Sequence, residues 1–192
     1  VPQSIGSDCS IGKMGGHQLA GQMQSFGLVY GRLAHRLLEQ LPLISPAQRQ
    51  ERAQKIADQY DDLSTASRDS LVQKVLALIE LPKFSLLFTR DALIEVPING
   101  ELNGIGIAGQ IDRLYVDERR VILADFKTGQ PLAGHVPSSY LLQMALYQGL
   151  LREIYPGRNI ECWLIWVDNL SHQVIERKAS DKALAALFAS HK

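Results

Sequence analysis

Leu33, Leu37, Leu38 and Leu41 recur at helical spacing and predict an amphipathic helix that carries His35 among them. Ser45 followed by Pro46 predicts the start of a more polar helix reaching about residue 60. A third helix is expected from Asp69 or Ser70 through Glu80, stopped by Pro82. The period then changes. Residues 92–98, 104–116 and 121–126 are rich in β-branched side chains, and the polar run Asp117-Glu118-Arg119-Arg120 separates the last two, so three strands are predicted. A loop over residues 128–137 follows, punctuated by glycine and proline. Then come a helix over 138–155 ended by Pro156-Gly157, a buried strand over 160–167 and an exposed edge strand over 173–177. Ser180 is expected to cap a last amphipathic helix with Leu184, Leu187 and Phe188. The order β-β-β-α-β after a helical segment predicts an α/β fold, a mixed central sheet flanked by helices. Residues 1–25, rich in Gly, Ser and Gln and without a period, read as linker; residues 26–192 read as one domain, helical over 26–90 and sheet-forming over 91–192.

Composition narrows the classes. With 192 residues and 46% apolar content, the chain can bury one good core. There is no signal-peptide pattern and no apolar run long enough for a bilayer, so no membrane role is expected. Cys9 and Cys162 make neither a metal-ligand spacing nor a disulfide framework, and the chain reads as cytoplasmic. It lacks a start methionine and reads as a piece of a longer protein. The 20 basic and 20 acidic residues cancel, which tells against tight autonomous nucleic-acid binding.

The candidate chemistry sits on the predicted hairpin. Alternation puts Val121, Leu123, Asp125 and Lys127 on one face of its second strand, with Ile122, Ala124 and Phe126 turned to the core. Asp112 falls toward the matching end of the first strand, so two carboxylates and one ammonium can converge. Carboxylates brought close repel unless one is protonated or a cation intervenes. Hard oxygen ligands suit Mg²⁺, with Mn²⁺ as substitute. Tyr140, Gln143 and Tyr147 form one stripe of the later helix, at i, i+3 and i+7, suited to lining a cleft. Two motifs mislead. Gly104-Ile105-Gly106-Ile107-Ala108-Gly109 fits a dinucleotide fingerprint but leads into a strand, where glycines signal a bend or a close backbone approach. Gly12-Lys13-Met14 lacks the rest of a P-loop, so no nucleotide site is expected.

Five motifs in order carry a resemblance: residues 30–39 around His35, Ile94-Glu95-Val96-Pro97, Gly109-Gln110-Ile111-Asp112, Asp125-Phe126-Lys127-Thr128, and residues 140–147 with Gln143 and Tyr147. Together they resemble the PD-(D/E)XK nucleases, within them the RecB-like nuclease domain, and most closely the C-terminal nuclease domain of the AddA family of helicase–nuclease subunits. The resemblance implies a restriction-endonuclease-like core and Mg²⁺-dependent cleavage of single-stranded DNA ends in double-strand-break repair, in a bacterial cytoplasm. It implies a helicase region on the same chain and a second, AddB-like subunit as partners. It assigns metal ligation to His35, Asp112, Asp125 and the Phe126 backbone carbonyl, with Glu95 ligating or supporting. Lys127 takes the part of the catalytic lysine, and Gln143 and Tyr147 contact DNA or the scissile phosphate. Some relatives carry a four-cysteine iron–sulfur staple; two cysteines cannot build one, so no cluster is expected. Arg32, Arg36, Arg113, Lys127, Arg152 and Arg158 are expected to line the approach. Two alternatives stand beside an active nuclease: a catalytically silent domain for DNA binding or assembly, and a stand-alone RecB-like exonuclease.

Overall fold

The computed structural model describes residues 15–130 and 136–190. Residues 1–14, with Cys9 and the Gly12-Lys13-Met14 motif, lie outside the described residues, as does the middle of the 128–137 loop.

Three helices come first: α1 (Gly15–Gln40), α2 (Pro46–Ala57) and α3 (Thr65–Ile79). α1 reaches back into the stretch read as linker. Glycines there weaken a helix, but Gln, Leu, Ala and Met between them favour it, and each added turn extends a nucleus already held downstream. α3 starts a turn before the predicted position because Ser64 caps it, its hydroxyl accepting from Ser67 N at 3.2 Å.

Among the described residues, five strands follow in the order β1-β2-β3-β4-β5. They are β1 (Leu93–Leu102), β2 (Ile105–Val116), β3 (Arg120–Lys127), β4 (Asn159–Trp166) and β5 (Ser171–Val174). Only β3 and β4 pair in parallel, joined by α4 (Ser138–Ile154); the other neighbours are antiparallel. β1 runs four residues beyond the predicted end at 98 and takes in Pro97. It is an edge strand, so a missing N–H there costs no ladder bond. Asn103 and Gly104, at φ 50° and 80°, close the β1–β2 hairpin with Leu102 opposite Ile105. Paired positive φ values are what a two-residue hairpin matching strand twist requires, and this accounts for one of the misleading glycines. The next turn is held by the Asp117 carboxylate, which accepts from Arg119 N and Arg120 N, both at 2.9 Å. β5 lies two residues earlier than expected, and α5 (Arg177–Ala189) begins before Ser180, which is buried inside its first turn.

Both sheet faces are covered. Ile122, Ala124 and Phe126 pack with Ile165 and the α1–α3 leucines. Val121 and Leu123 pack on the other face with Ile111, Leu164, Met144 and Leu150. The expectation of a single core face on β3 is therefore too narrow: a strand in the middle of a sandwiched sheet buries both sides, as its near-continuous apolar run allows.

Candidate active site

The register explains where the site forms. Ile94 pairs with Arg113 and Val96 with Ile111, so Glu95 falls opposite Asp112. Arg113 pairs with Ala124, so Asp125 is the next residue opposite Asp112 on the other side. There the β2–β3 ladder ends, while β3 continues beside β4 up to Lys127 and Trp166. The two strands fork, and Glu95, Asp112 and Asp125 lie across its mouth. Asp112 closes the fork itself, its Oδ2 accepting from Phe126 N at 2.7 Å. In a strand the carbonyl points to the same side as its own N–H, so the Phe126 carbonyl also faces the fork.

Each helical layer adds groups. From α1, His35 Nδ1 comes within 3.5 Å of Asp112 Oδ1. His35, Glu95 and Asp112 offer ligand atoms that all lie within 4.8 Å of one another. From β3, Lys127 Nζ sits 2.7 Å from Asp125 Oδ2, a buried ion pair. From α4, Gln143 Oε1 accepts from Lys127 Nζ at 3.5 Å, and the Tyr140 ring lies 4.4 Å beneath the ammonium. Tyr140 was read as no more than a member of the stripe; its spacing of three from Gln143 was the available signal.

Protonation follows from crowding. Burial, then the nearby Asp112, pushes Asp125 up to about 6 against the pull of Lys127. Burial and Asp112 also raise Glu95. Burial alone would lower His35, but its hydrogen bond to Asp112 and the charges of Asp112, Asp125 and Glu95 outweigh it and the imidazole is raised. Two carboxylates and an imidazole that hold protons this readily, gathered around Asp112, are a donor set short of a cation. One imidazole with carboxylate oxygens suits a divalent metal. His35, Glu95 and Asp112 would hold the ion, with Asp125 and the Phe126 carbonyl beside them.

Several expected roles change. Tyr147 is buried against β2: its hydroxyl accepts from Gln110 N at 3.3 Å, and a Cβ at Gly109 would stand 2.0 Å from that oxygen. It fixes α4 on the sheet, and it is Tyr140 and Gln143 that reach Lys127. Arg113 does not line an approach. It is 1% exposed, its guanidinium donates to the Leu38 carbonyl, and it lies 5.5 Å over Phe88. Burial lowers it to about 10, opposed by Glu95, Asp112 and Glu39. An arginine flanking an acidic cluster in a strand covered on both faces is a buried counter-charge; here it ties α1 to β2 one turn from His35. Arg152 pairs with Asp181 at 2.6 Å, and Arg158 donates to the Asp117 carbonyl at 2.7 Å, at the end of the sheet away from Lys127. Arg32 and Arg36 are exposed on α1.

A family model of the PD-(D/E)XK nuclease superfamily matches residues 16–190, nearly the whole chain. The chain belongs to the PD-(D/E)XK nuclease superfamily. Its mixed five-stranded sheet, helical layers and N-terminal helical segment are consistent with that superfamily's fold. A crystal structure of SSO0001 is 14% identical, with TM-score 0.37, over 85% of this chain and 86% of that one. A crystal structure of protein VC1899 from Vibrio cholerae is 12% identical, with TM-score 0.33, over 90% of this chain and 55% of that one. No curated protein sequence matches significantly. As a PD-(D/E)XK nuclease domain, the chain is expected to use a divalent metal, and the forked site supplies one place for it.

Proposed function

We propose that the chain is a Mg²⁺-dependent deoxyribonuclease that hydrolyses phosphodiester bonds of single-stranded DNA ends. We propose further that it serves as the exonuclease domain of an AddA-like helicase–nuclease, with an AddB-like partner. The convergence of His35, Glu95 and Asp112 from α1, β1 and β2, beside an Asp125–Lys127 pair, carries this reading. Zero net charge agrees with a domain to which a motor delivers DNA.

A bound divalent ion supplies Lewis acidity toward the phosphate and a lowered pKa for coordinated water. The chain's own residues do the rest. Asp125 fixes the position of Lys127 through their ion pair. Tyr140 supports the ammonium from below and Gln143 from the side, so it points into the fork without reorganising. Held there, it orients the attacking water and offsets negative charge developing on the phosphate. Tyr147 acts at a distance by seating α4, and Arg113 by seating α1.

Cleavage of single-stranded DNA in Mg²⁺ and in Mn²⁺ tests the reading. Lys127→Ala is expected to lower the rate by roughly 10²–10³-fold, the usual loss for a preorganised charge-stabilising group. Asp112→Ala is expected to abolish Mn²⁺ binding measured by calorimetry. Unchanged cleavage by Lys127→Ala, or unchanged Mn²⁺ binding by Asp112→Ala, refutes the assignment.

A further inference from the structure

A cavity of about 540 Å³ opens beside the site, lined in part by Phe26, Tyr30, Ser67, Ser70, Gly129 and Asp168. None of these takes part in the proposed chemistry, yet the cavity's wall includes Thr128, the residue after Lys127. Gly129 is the second residue after Lys127. Thr128 Oγ1 lies 3.6 Å from where a Cβ on Gly31 would stand, so the end of β3 rests directly on α1. Tyr30 precedes His35 on that helix by about 7.5 Å of axial rise, roughly two stacked nucleotides at 3.4 Å each.

The walls have a definite chemistry. Phe26 and Tyr30 stack at 5.6 Å with an interplanar angle of 22°. Phe26 nonetheless stays 45% exposed, so Tyr30 covers one side of its ring and leaves the rest open. The Ser67 and Ser70 hydroxyls, on the first turns of α3, can donate to or accept from a base edge. Asp168 would repel a phosphate backbone, but its charge is matched: Lys74 Nζ lies 2.6 Å away, Tyr30 donates to it at 2.9 Å and Gly129 N at 2.5 Å. An open aromatic face with hydroxyls at its edge and no net charge fits a planar, polar-edged ring, and it reads no sequence because every base has a π-face.

We propose that this cavity is a nucleobase subsite that holds an unpaired base close to the scissile phosphate and so selects single-stranded substrate. The inference rests on the nuclease reading and assigns residues to the single-strand selectivity proposed there. In a duplex the base is paired and stacked on its neighbours, and entry would require both to be given up.

The test is binding of a fluorescent single-stranded oligodeoxynucleotide to the chain, followed by anisotropy, with cleavage in Mg²⁺ scored separately. Phe26→Ala is expected to weaken binding about tenfold, the loss of one stacked base, and Phe26→Trp to restore it. Ile154→Ala removes a residue that is 55% exposed, away from the cavity, and controls for loss of apolar surface. An abasic nucleotide walked along the strand should weaken wild-type binding at one register and add nothing in Phe26→Ala. Wild-type-like binding by Phe26→Ala, an equal loss in Ile154→Ala, an abasic walk without register, or no measurable binding of single strands overturns the proposal. Binding that depends on Phe26 without any cleavage would keep the subsite and sink the nuclease reading; cleavage with binding indifferent to Phe26 would do the reverse.

Discussion

Glu95 stands at φ 49°, in the left-handed region, between two residues that keep their ladder partners. A non-glycine residue there costs on the order of 1–3 kcal/mol and persists only where its surroundings hold it. Its carboxyl is also raised by burial and by Asp112, so the folded protein without metal keeps it charged at a cost. Backbone strain and charge crowding at one residue are the signature of a position kept for a ligand. Glu95→Gln removes the charge and Glu95→Gly the strain as well. Without metal, both are expected to melt at or above the wild-type temperature, Glu95→Gly by up to about 1 kcal/mol. Added Mn²⁺ should raise the wild-type midpoint and do less for either variant. Melting curves with and without Mn²⁺ decide it. If Glu95→Gln melts lower in the absence of metal, the residue is held for structure rather than for a cation.

The contact of α4 with β2 depends on a glycine. At Gly109 the Tyr147 ring approaches so closely that an added Cβ would meet the hydroxyl at 2.0 Å and ring carbons at 2.6 and 2.7 Å. Gly109→Ala is therefore expected to lift α4, cost roughly 1–3 kcal/mol and draw Tyr140 and Gln143 away from Lys127. Tyr147→Phe should rescue little, because the ring carbons still clash, whereas Tyr147→Ala should restore most of the loss. A double-mutant cycle on thermal stability measures the coupling, and independent losses would show that the contact does not seat the helix. The same elements show how far sequence alone could reach. Strand alternation put Asp125 and Lys127 on one face with Asp112 toward the matching end of the partner strand, and helical spacing put His35 in an amphipathic helix, its role at the site coming from the resemblance. The fork was not legible, because it depends on where the β2–β3 ladder stops, a property of register across three strands. The stripe Tyr140–Gln143–Tyr147 was legible as a stripe, but which end met Lys127 depended on how α4 crosses the sheet. Arg113 misled because a charge in a strand normally marks solvent, and nothing local reveals a helix packed over it.

Asp168 joins two helices to the neighbouring ends of β3 and β4. It follows β4, and its carboxylate receives Lys74 from α3, Tyr30 from α1 and Gly129 N from the loop after β3. Burial alone would raise it, but these donors prevail and hold it below the usual carboxylate range. A carboxyl depressed in the folded state binds its proton more weakly there than in the unfolded chain, where it titrates near about 3.9. Its contribution is therefore complete above that value and is lost as pH falls through the lower folded value. Asp125 and His35, both raised, act at higher pH and in the opposite direction, so the two regimes separate. Asp168→Asn, isosteric but uncharged, is expected to lose about 2 kcal/mol at neutral pH and to show a shallower fall in stability below about pH 4. Urea unfolding across pH 3–7 for both proteins tests this. Parallel curves offset by a constant would mean that the three donors hold the side chain by shape alone; curves that converge toward acid would show that one charge fastens α1, α3 and the lysine-bearing end of β3 together.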